Sequence, residues 1–137
     1  MEKLTAIIPT FNEAHNIVAA IKSLNFADEI MVVDSFSTDN TLELAKSIST
    51  TILQREYQNS ASQKNWAIPQ AKHEWILLLD ADERITPELK EEVIAILKSN
   101  PDISGFWIPR INYFMGKRIR FSGWQGDKVI RLFKRDA

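Results

Sequence analysis

Cysteine is absent from the 137 residues. That excludes a disulfide framework, a thiolate metal site and a cysteine nucleophile, and it fits a reducing compartment. No apolar run approaches the ~20 residues needed to cross a bilayer. The opening segment MEKLTAIIPT does not read as a signal peptide, because its apolar stretch is short and is soon followed by Asn12 and Glu13. There is no low-complexity segment, and 45% of the residues are hydrophobic, enough for one compact core. The two histidines, His15 and His73, stand 58 residues apart, so neither is read as a metal ligand. A large net charge is missing too, but the formal value of -1 hides an asymmetry. Residues 117–137 carry seven Lys or Arg against Asp127 and Asp136, while the first 116 carry ten basic against sixteen acidic side chains. The end of the chain is a basic patch on an acidic body. Its aromatics form no recognisable stacking module, which argues against a nucleic-acid partner.

What is present is a rhythm. Leu4 to Pro9 reads as a buried strand, and Asn12 is placed to cap a helix with Ile17, Ile21 and Leu24 on its apolar face. Glu29 to Asp34 is a second strand, followed by a helix capped by Ser37 or Thr38 with Leu42 and Ala45 inward. Thr50 to Leu53 reads as a third strand, with a helix extension as its alternative. Ser60 to Ala71 is a polar helix, and Trp75 to Leu79 is the most apolar strand. Thr86-Pro87 starts a helix with Leu89, Val93, Ile96 and Leu97 on one face, and Asn100-Pro101 stops it. Strand and helix alternate over the first hundred residues, which predicts an α/β fold: a Rossmann-like, mostly parallel sheet with helices on both faces. After residue 101 the rhythm breaks. Gly105 to Phe114 is an extended edge segment containing a proline, and Lys128 to Phe133 is a half-exposed strand. The expected organisation is a ligand-binding α/β portion over 1–100 and the start of a second portion over 101–137. Because the chain ends directly after a strand, we expect it to be truncated at the C-terminus.

Three strands end in polar chemistry: Pro9-Thr10-Phe11-Asn12-Glu13, Asp34-Ser35-Phe36-Ser37-Thr38-Asp39 and Asp80-Ala81-Asp82-Glu83. In a parallel sheet these ends share one edge, where open α/β sheets bind ligands. Ordinary uses compete for some of them: Asp39, Ser37 and Thr38 as helix caps, Asp34 as a turn residue, Lys64 as a solvated lysine. Asp80 and Asp82 are harder to explain in that way, since Thr86 already supplies the next cap. Two carboxylates on a tight connection repel each other. Mg²⁺ or Mn²⁺, which take oxygen ligands from one or two carboxylates plus substrate phosphates, would offset that repulsion. An Asp-X-Asp alone is a weak signal; after an all-apolar strand in this frame it carries more. Lys64 then reads as a cation for a diphosphate.

The stretches IIPTFNEAHNI, VVDSFSTDNT, SQKNWA and LLLDADERI together resemble the family 2 inverting glycosyltransferases of the GT-A fold. Within these, NYFMGKRIRFSGWQGDKVIRLFKRD is similar to the mid-region of bacterial lipopolysaccharide core biosynthesis glycosyltransferases. The resemblance covers essentially the whole chain. It implies metal-dependent, inverting transfer of a hexose, glucose at family level, from a nucleotide-sugar donor, UDP-linked. The acceptor would be a saccharide or glycolipid such as lipopolysaccharide inner core. Carried onto this sequence, Pro9, Thr10, Asn12 and Glu13 would line the nucleotide, Asp34 would accept hydrogen bonds from base or ribose, and Asp39 would support that loop. Lys64 would stand near the diphosphate. Asp80 and Asp82 would form the metal site with Mg²⁺ or Mn²⁺, Asp82 being the direct ligand. Gly123, Trp124, Asp127, Arg131 and Arg135 would fall on the acceptor side. The expected location is cytoplasmic and peripheral, at the inner face of the bacterial inner membrane, with the basic stretch from Lys117 to Arg135 facing a phosphorylated glycolipid or anionic surface.

The sequence departs from the family pattern at Phe36 and Asn40, where glycine is usual or frequent. Glycine takes positive φ without steric penalty, whereas a phenylalanine must adopt an ordinary φ or bear the strain. An inverting transfer also needs a general base to deprotonate the acceptor hydroxyl. The family's base lies downstream of the segment resembling KVIRLFKRD, so it is expected beyond Ala137, the last residue, and no residue here is assigned that role. The fragment by itself is therefore expected to be inactive. The rival readings are a nucleotidyltransferase, which usually has a glycine-rich loop where this chain has PTFNEAHN, a haloacid-dehalogenase-like phosphotransferase, which usually places Asp-X-Asp on its first strand, and a non-catalytic nucleotide-binding domain.

Overall fold

The computed structural model of the protein describes residues 2–49, 51–100, 105–109, 112–114, 117–119 and 128–135. Strands β1 (Leu4–Thr10), β2 (Glu29–Asp34), β3 (Thr51–Gln54) and β4 (Trp75–Leu78) alternate with helices α1 (Ile17–Ser23), α2 (Thr41–Lys46) and α3 (Ser60–Ala67). Helix α4 (Pro87–Ser99) follows, then β5 (Gly105–Pro109), β6 (Asn112–Phe114), β7 (Lys117–Ile119) and β8 (Lys128–Lys134). Six strands form one sheet in the order β3-β2-β1-β4-β8-β5, and β6 and β7 pair separately. The first four are parallel. β8 runs antiparallel to both β4 and β5.

The chain order explains the layers. From β1 to β3 the chain steps one way across the sheet, and β4 then returns to the far side of β1. Right-handed crossovers put α1 and α2 on one face and α3 on the other. On the first face Leu4, Ala6, Ile8, Ile30, Val32, Trp75 and Leu77 meet Ile17, Ile21, Ala45, Val93 and Leu97 from α1, α2 and α4, with Leu24 just past the end of α1. On the second, Ile7, Met31, Val33, Ile76 and Leu78 meet Ala67, with Trp66 packed beside them. Burial on both faces is why these strands read as continuous apolar runs rather than alternating ones. Each fully buried Leu or Ile contributes about 1.5–3 kcal/mol.

Several local expectations change. Asn12 does not cap α1; that helix begins at Ile17 after Asn16, whose side-chain oxygen is taken by Arg84. Asn40, not Ser37 or Thr38, precedes α2. The helix expected to reach Ala71 is α-helical only to Ala67 and finishes as a 3-10 turn containing Pro69, which has no N–H for the α ladder. Its cap is Asn59, which accepts from the Ser62 N–H at 2.8 Å. The segment 105–114 divides into β5 and β6, and β5 lies at the sheet edge, where its Pro109 is tolerated. The start of α4 is as expected: Thr86 Oγ1 accepts from the Leu89 N–H at 3.1 Å and Pro87 is the first helical residue.

Candidate functional site

The carboxyl ends of β1, β2 and β4 lie on one edge, and β1 sits between the other two. The β1–β4 ladder stops early. Leu78 pairs with Ile7, and the Leu79 N–H donates to the Ile7 carbonyl at 3.0 Å. The next rung would need an N–H at position 9, which Pro9 lacks. On the other side of β1 pairing continues through Thr10↔Asp34 and a Ser35 N–H to Thr10 carbonyl bond of 2.9 Å. Pro9 therefore opens the sheet between β1 and β4, at the point where the strand order reverses. That is where open α/β sheets hold ligands.

The loops after β1 and β2 are bonded into one unit. The Asn12 N–H donates to Ser37 Oγ at 2.9 Å, and Asn12 Oδ1 accepts from the Thr38 N–H at 2.7 Å. The Glu13 N–H donates to Thr41 Oγ1 at 2.9 Å and the Ala14 N–H to Asp39 Oδ2 at 3.3 Å. Asp34 is 0% exposed; its carboxylate accepts from the Ser37 N–H at 3.0 Å and from Ser37 Oγ at 2.5 Å. Asp39 accepts from the Thr41 hydroxyl and, at 3.0 Å, from the Thr41 N–H. Its pKa is lowered mainly by the Thr41 hydroxyl bond, against a smaller opposing push from burial. Asn12 and Phe36 both have positive φ, 51° and 60°. Phe36 thus takes the strained alternative, while Asn40 has an ordinary φ of −90° and needs no glycine.

The connection after β4 closes the third side. The Asp80 N–H donates to Glu83 Oε1 and the Glu83 N–H to the Asp80 carbonyl, each at 2.9 Å. Arg84 donates to the carbonyls of Ala81 at 3.1 Å and Glu83 at 2.8 Å, and to Asn16 Oδ1 at 2.9 Å, tying this turn to the start of α1. Asp82 is exposed and Asp80 half-buried. Glu13 reports the electrostatics: burial pushes its carboxyl up, the Asp82 charge adds to this, Asn16 and Arg84 oppose it, and Asp39 adds a further upward push. Carboxylates from all three loops therefore feel one another. Asp80 and Asp82 are the carboxylates of this turn that could hold a divalent ion. Among the described residues no three His, Cys, Asp or Glu side chains form a metal cage. Two carboxylates leave coordination positions for phosphate oxygens and water, which is the habit of Mg²⁺.

The fold brings Thr10, Asn12, Glu13, Asp34, Asp39, Asp80 and Asp82 to this edge, with Pro9 at its hinge. Lys64 is half-buried on α3, and its neighbour Gln63 donates to Ser35 Oγ at 2.9 Å, which sets that helix beside the β2 loop. Gln63 escaped the sequence reading, as did Arg84. Gln63 is 1% exposed, and its Oε1, like the buried Thr10 Oγ1, has no hydrogen-bond partner among the described residues. Its only sequence signal is a polar residue beside Lys64. Gly123, Trp124, Asp127 and the Arg131 side chain lie outside the described residues. The general base expected beyond Ala137 falls outside the described residues, and no side chain of this crevice is given that role. Arg135 sits at the opposite edge, donating to the Ala71 carbonyl at 2.6 Å, because β8 runs antiparallel to β4. Lys134 lies over the Trp75 ring at 5.5 Å.

The chain matches the family model described as "Glycosyl transferase family 2" over residues 5–136. An "Uncharacterized glycosyltransferase" of Rickettsia felis is 40% identical over 101 residues, covering 73% of this chain and 36% of its own length. The "Lipopolysaccharide core biosynthesis glycosyltransferase LpsC" of Rhizobium meliloti is 30% identical over 137 residues, covering 96% and 51%. A mannosyltransferase from Pyrobaculum calidifontis, solved in complex with GDP-Man and Mn2+, has a TM-score of 0.64 and 26% identity over 76% of this chain and 34% of its own. The chain spans about a third to a half of the length of these curated relatives. No helix among the described residues is long and apolar enough to cross a membrane.

Proposed function

The chain belongs to glycosyl transferase family 2, and from that premise we propose that its protein transfers a hexose with inversion from a UDP-linked sugar to a glycolipid or polysaccharide acceptor. Lipopolysaccharide inner core is the acceptor class we favour, in line with the name of the Rhizobium meliloti relative, and glucose the sugar. The observation that carries this reading is the convergence of three acidic strand-end loops at the Pro9 opening, with Glu13, Asp39 and Asp82 each contributed by a different loop. An anionic crevice repels a diphosphate unless a cation joins it.

In this reading Asp82 and Asp80 hold Mg²⁺ or Mn²⁺, which when bound neutralises charge developing on the departing diphosphate. Arg84 fixes the Asp80–Glu83 turn so that the pair is preorganised before donor arrives. Pro9, Thr10, Asn12 and Glu13 line the nucleotide. Asp34 holds Ser37 and thereby the floor for base and ribose, Asp39 holds the same loop from its other end, and Lys64 faces the diphosphate. Residues 1–100 form the donor-binding portion and 101–137 begin the acceptor side. The basic stretch from Lys117 to Arg135 approaches an anionic membrane surface from the cytoplasmic side.

Calorimetric titration with UDP, with and without Mn²⁺, on wild type and Asp82→Ala tests the donor site. Binding that needs both the ion and Asp82 supports the reading. Absence of nucleotide binding by the folded protein, or binding indifferent to Asp82, overturns it.

A further inference from the structure

Asn16 is a helix-cap residue that does not cap. An asparagine ahead of a helix ordinarily accepts from an N–H of the first turn. Asn16 precedes α1, yet its side chain makes no such bond. Its Oδ1 accepts instead from Arg84 Nη2 at 2.9 Å, 68 residues along the chain. Its backbone is fixed to the β1 loop, the Asn16 N–H donating to the Glu13 carbonyl at 2.9 Å. Arg84 is committed as fully. Its Nη1 donates to the carbonyls of Ala81 at 3.1 Å and Glu83 at 2.8 Å, the residues immediately before and after Asp82. One guanidinium therefore holds the backbone on both sides of the exposed Asp82 and carries that hold across to the start of α1. The crossing matters because the sheet stops short of it. The β1–β4 ladder ends at the bond from the Leu79 N–H to the Ile7 carbonyl, where Pro9 opens the sheet. Past that rung Arg84 joins the two sides, and the Ile85 N–H donates to Ser23 Oγ at 3.2 Å, farther along α1.

We propose that Asn16 and Arg84 are positioning residues, forming a strut across the Pro9 opening that sets where Asp82 stands relative to the β1 loop and thereby the affinity of the site for its divalent ion. This rests on the donor reading above and deepens it. Neither residue is assigned as a ligand; both act through Asp82. The chemistry suits arginine, whose planar fork reaches three oxygens in fixed directions, as a lysine ammonium on its flexible stem does not. All three acceptors are neutral, so the strut ties up no carboxylate that the ion needs. The strut is also felt by Glu13, since Asn16 and Arg84 both oppose the upward push on its carboxyl. Groups that orient a metal ligand from behind commonly change metal affinity about 10- to 100-fold when removed.

The test is calorimetric titration of wild type, Asn16→Ala, Arg84→Lys and the double variant with UDP, each in Mn²⁺ and in EDTA, alongside thermal melting. Each single variant should lose about 10- to 100-fold in UDP affinity in Mn²⁺, and far less in EDTA. The double variant should lie within about twofold of the weaker single, because both changes cut one strut. Asn16→Ala removes no cap bond and should melt close to wild type, so it carries the test even where Arg84→Lys is less stable. UDP affinity of Asn16→Ala in Mn²⁺ within about twofold of wild type would overturn the proposal. So would full affinity in Arg84→Lys, which would make the charge sufficient, or additive losses in the double variant. Equal losses in Mn²⁺ and in EDTA would overturn it too, by making the bond a general part of the scaffold. If wild type binds UDP no better in Mn²⁺ than in EDTA, the donor reading fails and the strut with it; if wild type needs Mn²⁺ and the variants match it, the donor reading stands and the strut is refuted.

Discussion

Glu29 offers a way to separate what holds this fold from what its crevice does. It is 2% exposed, the first residue of β2, at the sheet edge opposite the crevice. Its Oε1 accepts from Thr5 Oγ1 at 2.9 Å and from the Lys72 N–H at 3.0 Å, and its Oε2 accepts from Thr51 Oγ1 at 2.7 Å. One carboxylate thus joins β1, β2, β3 and the segment entering β4. Burial pushes its pKa up, but these bonds and the Lys72 charge outweigh that and hold it below the ordinary glutamate value. Hydrogen bonds to a charged group contribute about 1.5–3 kcal/mol each, without simple additivity. Glu29→Ala strands three donors, and we expect a loss of about 3–5 kcal/mol, comparable to removing one partner of a buried charge. At roughly 3 °C per kcal/mol for a chain of this size, melting falls by about 10–15 °C. Glu29→Gln keeps one acceptor oxygen, and the Thr51 hydroxyl can rotate to accept from the new amide, so about 1–2 kcal/mol is lost.

The pH dependence has a definite sign. A carboxyl whose folded pKa lies below its unfolded value stabilises the protein above the unfolded pKa, and that contribution is lost as pH falls through the folded one. The gap between wild type and Glu29→Gln should therefore be full at neutral pH and close progressively below about pH 4.5. Urea midpoints across that range measure it. The crevice is roughly 20 Å away along the strand, so nucleotide affinity should not change. Equal stability of Glu29→Gln and wild type at pH 7, or parallel pH profiles, would refute the reasoning.

Three further outcomes are expected. Glu13 has a raised folded pKa, so its ionised form opposes folding at neutral pH; Glu13→Gln should melt higher than wild type at pH 7, with the advantage fading as pH drops and wild-type Glu13 becomes protonated. Pro9→Ala restores an N–H facing Leu79, so hydrogen exchange should show a protected amide at position 9, stability should stay within about 1 kcal/mol, and nucleotide should bind more weakly as the opening narrows. Leu77→Ala removes a fully buried side chain from the face packed by α1, α2 and α4 and should cost about 2–5 kcal/mol in chemical denaturation without altering the site.

The central strands and α4 were legible because their signals are local. Trp75 to Leu78 is apolar throughout since both faces of β4 are covered, and Thr86-Pro87 carries its cap within three residues. The gathering of acidic loops on one edge followed from parallel pairing alone. What the sequence could not display were the bonds made across distance. Asn12 has the composition of a cap, but its carbonyl serves Thr38, 26 residues on. Asn16 holds Arg84 across 68 residues, and Gln63 turns a polar side chain inward to a serine 28 residues back. All four glycines lie at Gly105 or later, so the left-handed positions in the first hundred residues fall to Asn12, Phe36 and Asn100. At Phe36 sequence could frame the choice between strain and ordinary φ, but only the surrounding bonds decide it.

The most direct measurement is an anomalous difference map from crystals of the protein grown with UDP and Mn²⁺. A manganese peak at about 2.1 Å from an Asp82 carboxylate oxygen and from diphosphate oxygens, inside the opening made by Pro9, is the expected result. A peak elsewhere with UDP bound, or UDP seated away from the β1–β4 opening, would contradict the assignment of this crevice as the donor site.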